Sequence, residues 1–353
     1  MGVVIIQQNG GGGDAVGPYI DGTLVNFVAP ENIDAIYDYR FYNMQSLQSV
    51  KIGNNVGNIN QYAFYLCRNV NEWVMPSQIY YIGAYAFANS AKNNVYIDCN
   101  FSSGTVGTYA FAGTNLRNLT GLIYGAPSFA FYNSSYYDYS NHFSFTELSI
   151  NGTVGRYAFS GRETGCGFFI SRSSNITSLA EGAFGVISNN SISTYHVLDF
   201  RNSTFTSLPS YTFGSSAVVG NGLLGALIYL PSSLLNIANY AFSNNRSCCY
   251  YFFGATPPSP STYSFSNVSQ WGKIFVPYNN INAYKTTTGW TSVAQYIKGW
   301  APENTFSVGE TLPAVNQEGY GLTWYTDREC TTQISVVADA DVELYCVASA
   351  NPV

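Results

Sequence analysis

The sequence predicts a mainly β fold with short helical turns: a solenoid of about ten stacked repeats, followed by a small C-terminal β module. Three observations predict it. A short phrase (aliphatic, two variable residues, aromatic, small, Phe) recurs ten times at spacings of 20 to 29 residues. Short apolar runs of period two lie between the copies, and that period marks a half-buried strand. Beyond Trp300 both patterns stop.

The copies read IYDYRF (36–41), INQYAF (59–64), IGAYAF (82–87), VGTYAF (106–111), APSFAF (126–131), VGRYAF (154–159), LAEGAF (179–184), LPSYTF (208–213), IANYAF (237–242) and PSTYSF (260–265). Their anchors are Phe41, Phe64, Phe87, Phe111, Phe131, Phe159, Phe184, Phe213, Phe242 and Phe265. Before the anchors come the strands: Leu47, Val50 and Ile52; Val95, Ile97 and Cys99; Leu148 and Ile150; Leu198 and Phe200. Each repeat is thus expected to hold a short strand, a turn with Gly, Asn or Pro (Met75-Pro76, Leu230-Pro231), and a tight coil carrying the phrase. One repeat alone cannot bury its Phe. Stacking does so and builds a continuous core in one dimension. At about 4.8 Å per strand, ten repeats make a rod on the order of 45–50 Å long.

The phrase I-G-x-x-A-F, with its V-x-I-P-type strand, resembles the BspA-like leucine-rich repeats common in gut Bacteroidetes and their viruses. The resemblance covers about residues 30–265, and the spacing falls in the leucine-rich-repeat range. Residues 254–300, with Pro257-Pro258, Phe275-Val276-Pro277, Ala283-Tyr284-Lys285 and Gly289-Trp290, follow the pattern that closes such solenoids. They are expected to form the last repeat and C-terminal cap. The segment GYGLTWYTDRECTTQISVVADADVELYCVAS (319–349) resembles the Listeria–Bacteroides repeat, which implies a β-grasp-like surface module. The expected boundaries are therefore 1–17 for a Gly-rich arm, 18–253 for the solenoid, 254–300 for the cap and 301–353 for the module.

Composition excludes several functions. Only 10% of the 353 residues are charged, against roughly 25% in typical soluble domains. The net charge is −6 and the 14 Lys and Arg are scattered, so no nucleic-acid partner is expected. The longest apolar runs, Val3–Ile6 and one near 223–230, fall far short of the ~20 residues of a membrane helix. Met1 to Asp14 lacks a basic n-region and does not read as a secretory signal. The chain is expected to act where it is made, or to leave in a particle released by lysis.

Chemistry is sparse. His142 and His196 lack a partner at metal-ligand spacing. His196 with Asp199 could orient an imidazole, yet no GxSxG serine accompanies them. Asp339 and Asp341 lack the oxygen ligands of a calcium loop. Gly10–Gly13 has no following Lys-Ser/Thr and reads as a flexible linker. The seven cysteines form no CxxC pair. Buried free thiols are the bland reading, although spacing permits a Cys330–Cys346 bridge. No catalytic residue, metal or cofactor is expected.

What the sequence has in excess is tyrosine, 30 in all. Two positions before the anchor stand Tyr39, Tyr62, Tyr85, Tyr109, Tyr157, Tyr211, Tyr240 and Tyr263, with Phe129 and Gly182 as the exceptions. The core side is already filled, so these rings are expected near solvent, as an aromatic ladder along the rod. Two readings stay open. The ladder is a strip that binds a glycan or a neighbouring protein, or its rings stack between repeats and seal the core edge. The function expected is a non-enzymatic component of a phage virion (fibre, tail or capsid decoration) that contacts other virion proteins or a host surface protein or glycan. The alternative is a bacterial cell-surface adhesin. Residues 1–13, with their β-prone Val3–Ile6, are expected to dock on a partner's sheet edge or on a second copy.

Overall fold

A computed structural model of the chain describes residues 24–90, 97–114, 116–132, 142–160, 163–164, 168–185, 196–214, 225–268, 273–302, 305–339 and 342–352. The arm at 1–17 and Cys166 lie outside the described residues. The fold is a β-solenoid of about ten turns, and each turn has three sides.

The first side is a parallel sheet. It starts with Asn26–Val28, Ser49–Lys51 and Glu72–Val74, paired in register at steps of 23 residues. It ends with Ala226–Leu230, Cys249–Phe252, Lys273–Pro277 and Ile297–Ala301. The second side is a narrower line of two- to four-residue strands: Ala35–Ile36, Asn58–Ile59, Ile79–Ile82, then Ser207–Leu208, Asn236–Ile237 and Ser259–Pro260. The third side is the coil that carries the repeated phrase. Side chains alternate as period two requires: Val50, Ile52 and Ile59 are buried, whereas Lys51 is exposed.

The ten anchors form the spine of the core. Successive Phe rings stack from Phe41 to Phe265 with centroids 4.9 to 6.0 Å apart and planes within 16°. The residue before each anchor explains the close approach of coil to coil. Ala63, Ala86, Ala110, Ala130, Ala158, Ala183 and Ala241 are fully buried, and each anchor from Phe41 to Phe242 donates its N–H to the carbonyl of the residue at that position one turn on. Examples are Phe64 N–H to Ala86 O at 2.8 Å and Phe87 N–H to Ala110 O at 2.8 Å.

One expectation needs correcting. Not every repeat is a short strand followed by a turn. In the middle of the rod Ile97–Val106, Leu116–Ala126 and His142–Val154 run unbroken through the corner and belong to both sheets. The corner at Met75-Pro76 interrupts its strand because proline has no N–H for the ladder. The three long strands have no proline at the corner. They bend instead at register shifts such as Ser102/Gly104 and Tyr124/Ala126. Gly121 permits one close approach: its φ is +94°, and an added Cβ would fall 1.9 Å from the Phe101 carbonyl oxygen.

At the C-terminal end the helix Ile281–Thr286 and its flanking 3-10 turns close the core. Trp290 and Tyr284 are fully buried there. The Trp290 indole N–H donates to Pro258 O at 2.8 Å, and the Tyr284 hydroxyl to Gly254 O at 2.8 Å. The sheet does not stop at the last solenoid strand. Ile297–Ala301 pairs antiparallel with Leu344–Pro352, which pairs with Tyr320–Tyr325, which in turn pairs with Gln333–Ile334. This unit folds over the outer face of the main sheet. A second core forms there from Tyr229, Cys249, Tyr251, Phe275, Trp300 and Tyr345. Glu318 ties the unit to the cap: its carboxylate accepts from the N–H groups of Asn282 and Ala283 at 2.7 and 2.8 Å.

Candidate binding surface

The tyrosine positions come together on the coil side of the rod. Each coil must turn sharply, and in every turn but the last the residue two before the anchor takes the left-handed backbone conformation; Tyr263 does not. φ is 57° at Tyr39, 55° at Tyr62, 57° at Tyr85, 57° at Tyr109, 61° at Phe129, 52° at Tyr157, 59° at Tyr211 and 62° at Tyr240. For an L-residue this costs roughly 1–2 kcal/mol. Two contacts offset it. Each coil bonds to the next, as in Tyr62 N–H to Ala84 O at 3.0 Å and Tyr85 N–H to Thr108 O at 3.1 Å. The rings also stack, and aromatic pairs are worth about 0.5–1.5 kcal/mol beyond burial.

Centroid distances along the first run are 4.8 Å for Tyr39–Tyr62, 4.8 Å for Tyr62–Tyr85, 4.9 Å for Tyr85–Tyr109 and 4.7 Å for Tyr109–Phe129. Tyr157 follows at 5.7 Å, tilted by 36°. Gly182 then interrupts the stack. A second run joins Tyr211, Tyr240 and Tyr263 at 5.2 and 5.5 Å. Tyr39 and Tyr263, at the two ends, are 53% and 51% exposed; the rungs between are half-buried. The rings therefore hide their faces against one another and show solvent an edge and a hydroxyl. Burial, and then the neighbouring phenols, push Tyr62 and Tyr85 above the ordinary tyrosine pKa.

Sequence reasoning missed a second row. Tyr42 and Tyr65 follow directly on their anchors and stack on each other at 5.3 Å. They meet the first row edge to face, Tyr62–Tyr65 at 5.4 Å and Tyr65–Tyr85 at 6.1 Å. The available signal was the doubled aromatic in RFY and AFY, which becomes AFA in the next two turns.

The other candidate groups do not converge. His196 is fully buried, and burial lowers its pKa to about 4. It stands three residues from Asp199 on one strand, and an odd separation turns the two to opposite faces. The Asp199 carboxylate instead accepts from the Arg201 guanidinium at 2.5 to 3.0 Å, and Arg201 lies over the Tyr229 ring at 4.7 Å. His142 is the first residue of its strand, remote in sequence from the second histidine. Cys67, Cys99, Cys248, Cys249, Cys330 and Cys346 are free thiols. Burial pushes Cys67 and Cys248 up to about 12, so they stay protonated at neutral pH. Asp339 is exposed, and Asp341 lies outside the described residues. Among the described residues no three His, Cys, Asp or Glu gather as a metal site, and no helix is long and apolar enough to cross a membrane.

Parallel strands stacked turn upon turn, with an aromatic spine inside and a tyrosine ladder outside, define a leucine-rich-repeat solenoid, a class that typically serves as a binding scaffold. The chain belongs to the BspA type leucine rich repeat region family. Six copies of that repeat match residues 19–138 and 225–288, more than half of the chain. No curated protein matches the sequence. The unmatched stretch between the two regions still carries anchors Phe159, Phe184 and Phe213 in the same stack. The family is a surface- or protein-binding one, and its members are generally associated with cell surfaces.

Proposed function

We propose that this protein is a non-enzymatic attachment component that grips another protein or a glycan-bearing surface through Tyr39, Tyr62, Tyr85, Tyr109, Tyr157, Tyr211, Tyr240 and Tyr263. One observation carries the reading. The ladder rings are held rigid by stacking while their edges and hydroxyls stay at the surface. A rigid amphipathic ring supplies contact area at little further entropy cost.

We place the protein in a phage virion, as a fibre, tail or capsid-decorating part, with other virion proteins or a host surface protein or glycan as partner. The support is compositional: a 10% charged chain with 30 tyrosines offers the neutral surface that packs well in an assembly. On this reading residues 1–13 dock the subunit on a neighbour, and 301–353 form a Listeria–Bacteroides-repeat-like module. The surface association of the family favours a second reading, a bacterial cell-surface adhesin.

The test replaces Tyr62, Tyr85 and Tyr109 together by Asn, which tolerates the left-handed backbone. Thermal melting and attachment to purified particles and to host cells are then measured separately. Lost attachment with a folded protein supports the recognition strip; unchanged attachment refutes it. Mass spectrometry of purified particles and of cell-surface fractions separates virion from adhesin.

A further inference from the structure

We infer that the two-row patch of Tyr39, Tyr42, Tyr62, Tyr65 and Tyr85 binds a proline-rich segment in the polyproline II conformation. This rests on the ladder being a recognition strip, and it names the ligand class for one end of it.

Three observations select that ligand. The first is which part of each ring is free. Stacking at 4.8 Å closes both faces of Tyr62, and the second row packs edge-to-face against the first. A pyranose needs an open ring face to stack on. Proline-rich segments instead dock on aromatic-lined grooves, and the two rows offer such a segment ring edges rather than faces.

The second is hydrogen bonding. The Tyr157 hydroxyl is engaged by Glu181 and that of Tyr80 by Gln78. Among the described residues the hydroxyls of Tyr39, Tyr42, Tyr62, Tyr65 and Tyr85 have no such partner. They present a comb of free donors. A polyproline II chain makes no internal hydrogen bonds, so its carbonyls are free acceptors of the matching kind.

The third is pitch. Rungs recur every 4.8 Å. One turn of polyproline II, three residues at about 3.1 Å each, matches two rungs to within a few tenths of an ångström. Tyr39 to Tyr85 is two rungs. Among the described residues two successive turns carry both rows only here: Ala88 and Ala112 take the second-row place in the next turns, and Tyr132 beyond them stands alone against Phe129. Tyr39 and Tyr42 are also among the most exposed large side chains of the molecule, at 53% and 47%.

The experiment titrates the full chain with decaproline by calorimetry, beside a Gly-Ser peptide of equal length and a chito-oligosaccharide. Saturable binding of decaproline alone is expected. The double variant Tyr42→Ala/Tyr65→Ala, which leaves the left-handed ladder positions untouched, should weaken it at least about tenfold. Tyr65→Phe, which removes one hydroxyl and keeps the packing, should weaken it less, and Tyr211→Asn/Tyr240→Asn not at all. No binding of decaproline, equal binding of the Gly-Ser peptide, preference for the oligosaccharide, or full affinity in the double variant would overturn the inference. If decaproline fails while the triple ladder variant still loses attachment, only this inference falls. If that variant also keeps attachment, the ladder reading falls with it.

Discussion

The ring of Tyr157 lies where a side chain of residue 182 would stand. A Cβ added to Gly182 falls 2.2 Å from Tyr157 Cε1 and 2.3 Å from Cδ1. Further contacts hold the ring in place: the Arg156 guanidinium lies 5.0 Å from its centroid and bonds Glu181 at 3.1 Å, while the Tyr157 hydroxyl donates to Glu181 at 3.2 Å. The first ladder run therefore ends in a cap, with Tyr157 leaning over a glycine. Gly182→Ala should destabilise the fold by about 1–3 kcal/mol, since alanine would be strained at φ +66° and would collide with the ring. In a Tyr157→Ser background the loss should shrink to the backbone part. Denaturant melts of the four proteins in the cycle measure the coupling; additive losses would show that the ring and the glycine act independently.

The stacked anchors predict a graded response. Phe87→Ala and Phe111→Ala empty fully buried sites between two stacked rings and should each cost roughly 3–5 kcal/mol. Phe265, half-buried at the end of the stack, should cost clearly less. Nearest-neighbour coupling makes central turns the sensitive ones. Urea unfolding of the three variants decides it, and equal small effects would contradict a continuous spine.

The ladder backbone predicts a substitution order at a single rung. At Tyr85, with φ 57°, Asn should be tolerated better than Val by about 1 kcal/mol, because a β-branched residue is more strained in the left-handed region. Both lose the same ring stack. Thermal melts of Tyr85→Asn and Tyr85→Val show this difference directly, and a melt order with Val above Asn would contradict the backbone argument.

His196 predicts an acid limb. Its folded pKa, about 4, lies below the 6.5 of the unfolded chain. Between those values the unfolded state binds a proton that the folded state refuses, so stability is complete above about pH 6.5 and is lost as pH falls toward 4. The loss should reach a few kcal/mol. Stability measured against pH should flatten over this window in His196→Gln, and an unchanged slope would assign the acid limb to other groups.

The C-terminal unit predicts solubility. Ending the chain at 302 uncovers Tyr229, Tyr251, Phe275 and Trp300, now buried beneath it. An exposed aromatic face of that kind associates. Light scattering should show more self-association in the shortened protein than in the full chain, and equal scattering would contradict the covering role of the unit.

Much of this architecture can be read from the residues alone. The number of turns, the identity of the ten anchors and the inward face of each strand are written as a repeated local pattern, because every turn packs only on its neighbours and one rule serves them all. The placement of Tyr39 through Tyr263 near solvent follows by elimination, since the aliphatic, small and Phe positions already fill the inside. Tertiary structure decided the rest. A repeat phrase does not state φ, and the left-handed turn at the ladder tyrosines from Tyr39 to Tyr240 goes with coils that bond to one another along the rod. Tyr42 and Tyr65 became a second row because stacking brought residues 23 apart to 5.3 Å. The merging of two sheets in strands 97–106, 116–126 and 142–154 depends on backbone bends at glycines between neighbouring turns. The second core depends on where residues 320–352 come to lie, against a face that period two marks as outward. Local chemistry settles which way a side chain points within its own turn, but what covers it is settled by segments distant in the chain.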